Sequence, residues 1–472
     1  MTSPLDFDPR PLPLLLLARS WRAMLVILLL GLVVGVHLLV PDGAGNTPAV
    51  TWRVLAVFGA ALTLWVTGAV PLVVTAMGVF LGLSATGIAS PTDIASWYWK
   101  DIVFFLLGAF LIAGSLSSSH VIDHAALRLI DSMGTSPRKL RQVLFWSAFF
   151  ASFLMSEHAV MAMLFPLACR IRDALGRKPG SSTYVTGLFF ALAWGATIGG
   201  IVTYLGGGRN PLAMGFLAQS GYDAPGFFAL MGYSLPLALP LAVIASLLLE
   251  RAFPVDLDSI SEAREALAQR RRELGRFGPQ QIAVTLLLVV AVLGWALAGY
   301  KMIAVVALAV AAVLLGSGLV RWKDLTKNVP WDLLLLYGAA LALAKALETT
   351  GAHHVAAEAL VPWLGSHPLL AVLLVATVAM FLTEAMSNAA VVGVLVPLML
   401  GLAPQIGVDP LHLTLAVCLP AGLAFMLPMG SPPLAIAFAS GEFRVSTMAW
   451  WGALLNLIAI PLVLAVYWFV WR

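Results

Sequence analysis

Long apolar runs separated by short polar loops fill almost the whole chain, and they fall into two classes. Runs near 22-41, 52-75, 76-90, 101-120, 182-220, 227-250, 280-299, 302-318, 331-350, 410-440 and 447-470 mostly have the length, about 20 residues, that a helix needs to cross a hydrocarbon core. They predict about eleven transmembrane helices, with the termini on opposite sides. Two further apolar stretches, 140-172 and 368-402, are each split by a polar phrase into arms of about a dozen to sixteen residues, short of a crossing. These predict re-entrant hairpins. Irregular backbone at such tips can lie at membrane depth only where protein or a water-filled cavity covers it, so the tips should face an internal site.

The polar phrases are related. Ser156-Glu157-His158 has Pro166 ten residues after its serine, and Ser387-Asn388-Ala389 has Pro397 at the same interval. Each phrase is followed by a second backbone break inside an apolar segment, Gly206-Gly207-Gly208-Arg209-Asn210-Pro211 in the first half and Gly430-Ser431-Pro432-Pro433 in the second. Upstream, residues 108-124 align without gaps to residues 338-354, from Gly108-Ala109 and Gly338-Ala339 to Asp123-His124 and His353-His354. An odd number of crossings intervenes, so the repeats are expected to be inverted, with 122-137 and 351-366 as amphipathic connectors along opposite membrane surfaces. The expected fold is thus an all-α polytopic membrane protein with two re-entrant hairpins and two unwound helices in two inverted repeats. Midplane breaks of this kind are how repeat-built transporters form their sites.

Composition supports a membrane solvent: hydrophobic residues make up 61% of 472 positions and charged residues 11%, far from the balance of a soluble domain. The first apolar run follows Pro11 and Pro13 without a small-residue cleavage site, so the N-terminus is expected to be retained. Cys169 and Cys418 lie in or beside apolar segments and read as packing residues. The net charge of +4 says less than its distribution. Arginines and lysines cluster at 10-22, 128-141, 170-178, 251-276 and 321-327, whereas the loops around 42-51, 221-226, 351-367 and 402-410 contain none. All clusters fall on one side if the N-terminus is cytoplasmic, which predicts a multi-pass protein of the inner (plasma) membrane in that orientation. Glu262, Glu265 and Glu273 interleave with Arg270-Arg271-Arg272, so this run reads as a topology signal or a lipid-facing helix and not as a nucleic-acid site.

These residues resemble the divalent anion:sodium symporter family, which carries dicarboxylates, citrate or sulfate. The family's two Ser-Asn-Thr signatures are matched by Ser156-Glu157-His158 and Ser387-Asn388-Ala389. Its first unwound helix is similar to the segment from Gly199-Gly200 through Thr203 to Gly206-Gly207-Gly208-Arg209-Asn210, and its second to Ala424-Phe425-Met426-Leu427-Pro428 with Ser431-Pro432-Pro433-Leu434. The likeness runs from about residue 50 to the C-terminus. It implies alternating access, a homodimer, a fixed scaffold and a mobile transport unit. On that division 1-21 is an N-terminal cytoplasmic segment, 22-100 and 227-330 are scaffold, with a cytoplasmic linker at 252-278, 101-226 and 331-446 are the transport elements, and 447-472 is the last helix.

In the family each tip and its unwound helix together cradle one sodium ion, and both signatures face the substrate carboxylates. The resemblance therefore implies substrate contacts from Ser156, Glu157, His158, Ser387, Asn388, Ala389, Arg209, Asn210 and Pro433. It implies ion binding, or its replacement, at Ser156, Glu157, Thr203, Gly206, Gly208, Arg209, Asn210, Ser387, Asn388, Gly430 and Ser431. The chain departs from the pattern where coupling is decided: Glu157 and His158 stand for Asn and Thr, Arg209 stands in the facing loop, and Ala389 and Leu434 replace Thr and Asn. Sodium coupling is therefore left open, with no other cofactor expected.

Half-helix N-termini present free N–H groups and partial positive charge, which suits an anion. Ser156 and Ser387 are placed to cap the second hairpin arms, while Asn210 can close the unwound loop. An isolated Arg or Glu at membrane depth is costly. Glu157 and Arg209 are thus expected to pair, the guanidinium replacing the first sodium ion; the rival role for Arg209 is direct contact with substrate. His158 is favoured as a hydrogen-bond donor over a proton-coupling group. Lys345, Glu348 and Glu384 are read as a supporting network or a structural pair, and Asp123-His124 and His353-His354 as surface residues without a metal. Trp97, Trp99, Trp450, Trp451, Trp468 and Trp471 are read as interfacial anchors.

The expected function is secondary active transport of a small anion, a dicarboxylate or an inorganic oxyanion such as sulfate. A sodium-independent exchanger and a proton-coupled carrier are the alternatives, and a ligand-binding membrane sensor is the reading of a different class. An enzyme is disfavoured because no Ser/His/Asp constellation, P-loop or HExxH helix is present. The partners expected are the anion, the bilayer and a second copy of the chain.

Overall fold

Residues 12–40, 48–132, 136–257, 259–326, 329–352, 355 and 367–472 are described in a computed structural model, and among them the chain is helical without strands. Eight helices are long and apolar enough to cross a membrane. Six of them coincide with expected spans: Trp21–Leu39, Ala49–Thr67, Asp101–Ser118, Phe227–Ala252, Pro279–Leu297 and Val445–Trp471. The expected division into 52-75 and 76-90 is misplaced. The first helix ends at Gly68, left-handed at φ 57°, and the next begins after Pro71 as Leu72–Ala85, because proline cannot continue a helix from within.

Both hairpins form, and three of the four arms are longer than expected. The first joins Pro137–Ala151 to Glu157–Ala174, and the second joins Pro368–Ala385 to Asn388–Ile406. The arms of the second hairpin, 18 and 19 residues long, are themselves among the eight, so arm length does not distinguish them from crossings. What marks them as hairpins is where their tips meet. The two broken segments also form: Thr183–Gly199 is followed by Arg209–Gln219, and Pro410–Cys418 by Pro432–Ala439.

Cross-packing ties the halves together. Asp101–Ser118 packs on Ile303–Gly316, and the aligned helix Trp331–Thr349 packs on Leu72–Ala85. The aligned glycines each sit at a close approach, Gly108 in the first of these contacts and Gly338 against the short helix Pro91–Tyr98. A β-carbon at Gly108 would lie 2.7 Å from the Ala307 backbone, and one at Gly338 would lie 2.8 Å from the Tyr98 ring.

The first hairpin arm is seated in the same way. Gly195 and Gly199 of the first broken segment, four residues apart, lie directly against the carbonyls of Phe145 and Phe149. In lipid, where apolar burial drives little helix association, such small-residue spacing lets backbones approach. Arg141 of the same arm is fully buried and holds Glu250 and the Phe253 carbonyl of the neighbouring long helix. Gln142 adds donors to the Ser246 carbonyl at 3.2 Å and to Glu250 at 3.0 Å, so two neighbouring side chains fix the hairpin to that helix.

The charged linker helix Ser261–Leu274 has protein partners along one face. It packs on the second arm of the first hairpin and on the connector helix Val121–Ser132, and Glu273 bridges Arg170 at 3.2 Å and Arg270 at 3.5 Å. The other expected connector, 351-366, lies almost wholly outside the described residues, as do His353 and His354. Trp99, Trp450 and Trp468 are exposed as anchors require, but Trp471 is buried and donates to the Tyr233 carbonyl at 3.0 Å.

Gly195→Val should lower the thermal denaturation midpoint of the purified protein, by overpacking worth about 1–3 kcal/mol. Gly232→Val, at a helical position with nothing within 4 Å, should leave the midpoint unchanged.

Candidate functional site

At the first tip, Ser156 stays extended (ψ 142°) and its hydroxyl accepts the Ala159 N–H at 3.3 Å, starting the second arm. The Glu157 N–H donates to the Gly206 carbonyl at 2.9 Å, which joins the tip to the first break. Thr203 organises that break. Its hydroxyl donates to the Phe153 carbonyl at 2.8 Å and accepts the N–H groups of Leu205 and Gly206. Asn210 closes the loop by donating to the carbonyls of Gly200 and Thr203 at 3.1 and 2.6 Å, with Cys418 packed 3.3 Å from its side-chain oxygen.

Glu157 and Arg209 form a two-point ion pair, Nη1 to Oε1 at 2.9 Å and Nη2 to Oε2 at 3.1 Å. Both side chains are almost completely buried. Burial of two charges costs several kcal/mol each unless geometry and extra hydrogen bonds offset it, and here Asn388 adds a third donor to Glu157 Oε1 at 3.3 Å. The carboxylate therefore joins the first tip, the first break and the tip of the second hairpin. Two glycines make room for the pair: a β-carbon at Gly200 would collide with the Glu157 carboxylate, and one at Gly422 with the Arg209 guanidinium.

The second half is built differently. Ser387 caps its arm by accepting the Ala390 N–H at 3.3 Å. The Thr383 hydroxyl lies 2.7 Å from Asn388 Oδ1 and 2.9 Å from the Ala421 carbonyl. Glu384 accepts the N–H groups of Phe425, Met426 and Leu427 at 2.8, 3.0 and 2.9 Å, and the Asn456 amide at 3.0 Å. The unwound backbone of the second break is thus tied to the tip by one buried carboxylate. Glu384 joins no network with Lys345 and Glu348, which instead pair with each other at 3.0 Å on a more exposed helix face.

Both tips and both breaks line one cavity of about 960 Å³, through Ser156, Glu157, His158, Ser387, Asn388 and Ala389 from the tips, and through Gly208, Arg209, Gly430 and Ser431 from the breaks. Pro432 lines it, whereas the expected Pro433 is buried behind. Thr203, Gly206 and Asn210 also stand behind the wall, where they hold the loop. From the tips the cavity extends to Arg170, Arg270 and Asp332. Asp123 pairs with His120 at 2.7 Å, and the described residues hold no group of three metal-type side chains.

The sodium:sulfate symporter transmembrane region matches residues 18–472. The chain belongs to this family, the divalent anion:sodium symporters. It is 26% identical over 435 residues to the sodium-dependent dicarboxylate transporter SdcS of Staphylococcus saprophyticus, covering 86% of this chain and 84% of that one. It is 28% identical to SdcS of Staphylococcus aureus strain USA300, covering 86% and 83%. An uncharacterized transporter of Haemophilus influenzae is 29% identical, covering 88% and 91%. The YdaH transporter of Alcanivorax borkumensis, described as having an unusual topology, aligns over 98% of this chain and 99% of its own with a TM-score of 0.56. At 14% identity that likeness shows the fold alone. The chain is therefore an integral membrane protein of secondary anion transport and not an enzyme.

Within this family member, four positions escaped the sequence reading: Thr383, Gly422, Tyr337 and Asn456. Tyr337 is buried against Gly208 in the cavity wall. Asn456 left a signal, a lone amide in the apolar helix Val445–Val466, since an intramembrane polar group normally has a partner. Gly422 left none, because only the fold brings it to Arg209.

Removing one member of the ion pair leaves a buried charge alone. Arg209→Gln or Glu157→Gln should each destabilise the purified protein by about 3–5 kcal/mol, while Glu157→Asn with Arg209→Thr should cost less than either; additive losses in thermal denaturation would reject the coupling. Glu384→Leu strands three backbone donors, at about 1–3 kcal/mol each, and should lower the midpoint more than Glu348→Leu does.

Proposed function

We propose that this protein carries a small dianion, a dicarboxylate or an inorganic oxyanion, by alternating access, and that the Glu157–Arg209 pair supplies internally what a sodium ion supplies at the first site of its family. The observation that carries this reading is the convergence of both tips and both breaks on one cavity, with a guanidinium bonded into the tip at two points. A fixed positive charge there opposes a second cation at short range. Its carboxylate partner keeps the local charge balanced without an ion.

The substrate would sit between the half-helix N-termini that begin at Glu157 and Asn388, with donors from Ser156, Ser387 and His158 and from the buried Ser431 hydroxyl, which has no protein partner among the described residues. The second half differs: the Thr383 hydroxyl, Asn388 Oδ1 and the Ala421 carbonyl form an oxygen cluster that suits one monovalent cation. The reading therefore replaces one family ion and leaves a place for another. The two cross-packed halves are inverted repeats, and the unit works as a homodimer in the plasma membrane with the N-terminus cytoplasmic. The cavity then opens toward the cytoplasm, because Arg170 and Arg270 at its mouth belong to the basic side.

Both SdcS relatives are named sodium-dependent dicarboxylate transporters, which favours a dicarboxylate over sulfate and retains sodium as the ion for the second cluster. Sealed proteoliposomes should take up labelled succinate in preference to sulfate. The sodium dependence should fit a single ion per cycle, and Thr383→Val should abolish that dependence. Uptake needing two or more sodium ions would overturn the replacement at the first site, and uptake that ignores sodium but requires internal anion would make the protein an exchanger.

A further inference from the structure

The connector helix Val121–Ser132 and the linker helix Ser261–Leu274 pack on one another and separate two cavities. Toward the transport cavity they present Asp123, Leu127 and Arg270. On their other side lies a second cavity of about 720 Å³, lined by His124, Arg128, Arg271, Arg272, Arg276 and Phe277 together with two small residues. No carboxylate lines it among the described residues. Glu273, between two of these arginines in sequence, turns away to Arg170 and Arg270.

A solvated basic face is the ordinary account of such a run, and arginines in a last helical turn also offset the helix's negative end. Two observations go further. The His124 side chain is 7% exposed, and its Nε2 is buried without a partner among the described residues although the residue lines the cavity. Burial first, and then the Arg128 charge, hold its imidazole below the ordinary histidine range. Second, Phe277 orders the opposite wall: its ring lies edge-on to His124, with centroids 5.5 Å apart, and takes the Arg128 guanidinium at 5.8 Å. Gly275, left-handed at φ 73°, ends the linker helix and lets Arg276 and Phe277 fold back to complete that wall.

We infer that this second cavity recognises a phosphate group, held by Arg128, Arg272 and Arg276 with His124 as a further hydrogen-bond partner. Guanidiniums match phosphate oxygens in a planar fork, and several around one cavity can share a tetrahedral anion. The phosphate is either the headgroup of an anionic lipid or a soluble phosphate. Leu129, next to Arg128 in the connector helix, is an exposed apolar side chain, and basic clusters at a membrane surface attract anionic lipids. An occupant would clamp the linker helix to the connector and thereby hold one wall of the transport cavity. The inference depends neither on the transported anion nor on its coupling.

The test uses the full-length protein in a mild detergent. Native mass spectrometry would measure retention of phosphatidylglycerol and of phosphatidylcholine, and thermal denaturation would be followed with inorganic phosphate. Wild type should hold phosphatidylglycerol in preference to phosphatidylcholine, and Arg272→Gln with Arg276→Gln should weaken this by about thirtyfold, the factor expected from two surface guanidiniums. Arg138→Gln with Lys139→Gln, which lines neither cavity, should change nothing, and Arg128→Gln provides a second variant on a different helix. Stabilisation by inorganic phosphate that the same variants abolish, without lipid preference, assigns the site to a soluble phosphate. Equal losses in the control pair, or binding of neither probe, overturn the inference.

Discussion

One buried carboxylate, that of Glu157, connects both hairpin tips to the first broken segment. It takes two hydrogen bonds from Arg209 and a third from Asn388, so three breaks in helical structure meet at one charge. Each alone would leave polar backbone at membrane depth, which lipid does not tolerate. Together they satisfy one another. The neighbouring glycines, Gly200 and Gly422, follow from the same demand, since any side chain there would occupy the space of the pair.

The two halves solve the same problem with different chemistry. The first closes its tip against its break with an ion pair, whereas the second uses Glu384 to gather three backbone N–H groups and an amide. A carboxylate accepting several N–H groups is satisfied without a counter-cation, because each donor carries partial positive charge. The halves are thus unequal in local charge although alike in path. The first holds a fixed cation within its own chain, and the second keeps an oxygen cluster around Thr383.

Outside the membrane core, the connector and linker helices give the transport cavity a wall whose outer face is strongly basic. Arg270 and Glu273 belong to the transport side and Arg272 to the other, one helical turn serving both. The linker between the halves is therefore packed into the structure, with Glu273 paired to the first hairpin through Arg170 and Arg272 lining the second cavity.

Much of this was legible in the chain because the membrane imposes simple rules. Apolar length marked most helices, and the repeated serine phrases with their prolines marked both hairpins. The cost of an unpaired charge in lipid was enough to put Glu157 with Arg209, 52 residues apart. Arm length misled at the second hairpin, since 18 and 19 residues satisfy the criterion for a crossing. Grouping by shared charge misled at Glu384, whose partners are backbone N–H groups that leave no trace in composition. Asn388 reaching across to Glu157, Gly422 yielding room to Arg209, and Arg270 and Arg272 facing different cavities were decided by tertiary structure alone. Each depends on the relative placement of segments far apart in sequence, and local periodicity carries no information about that distance.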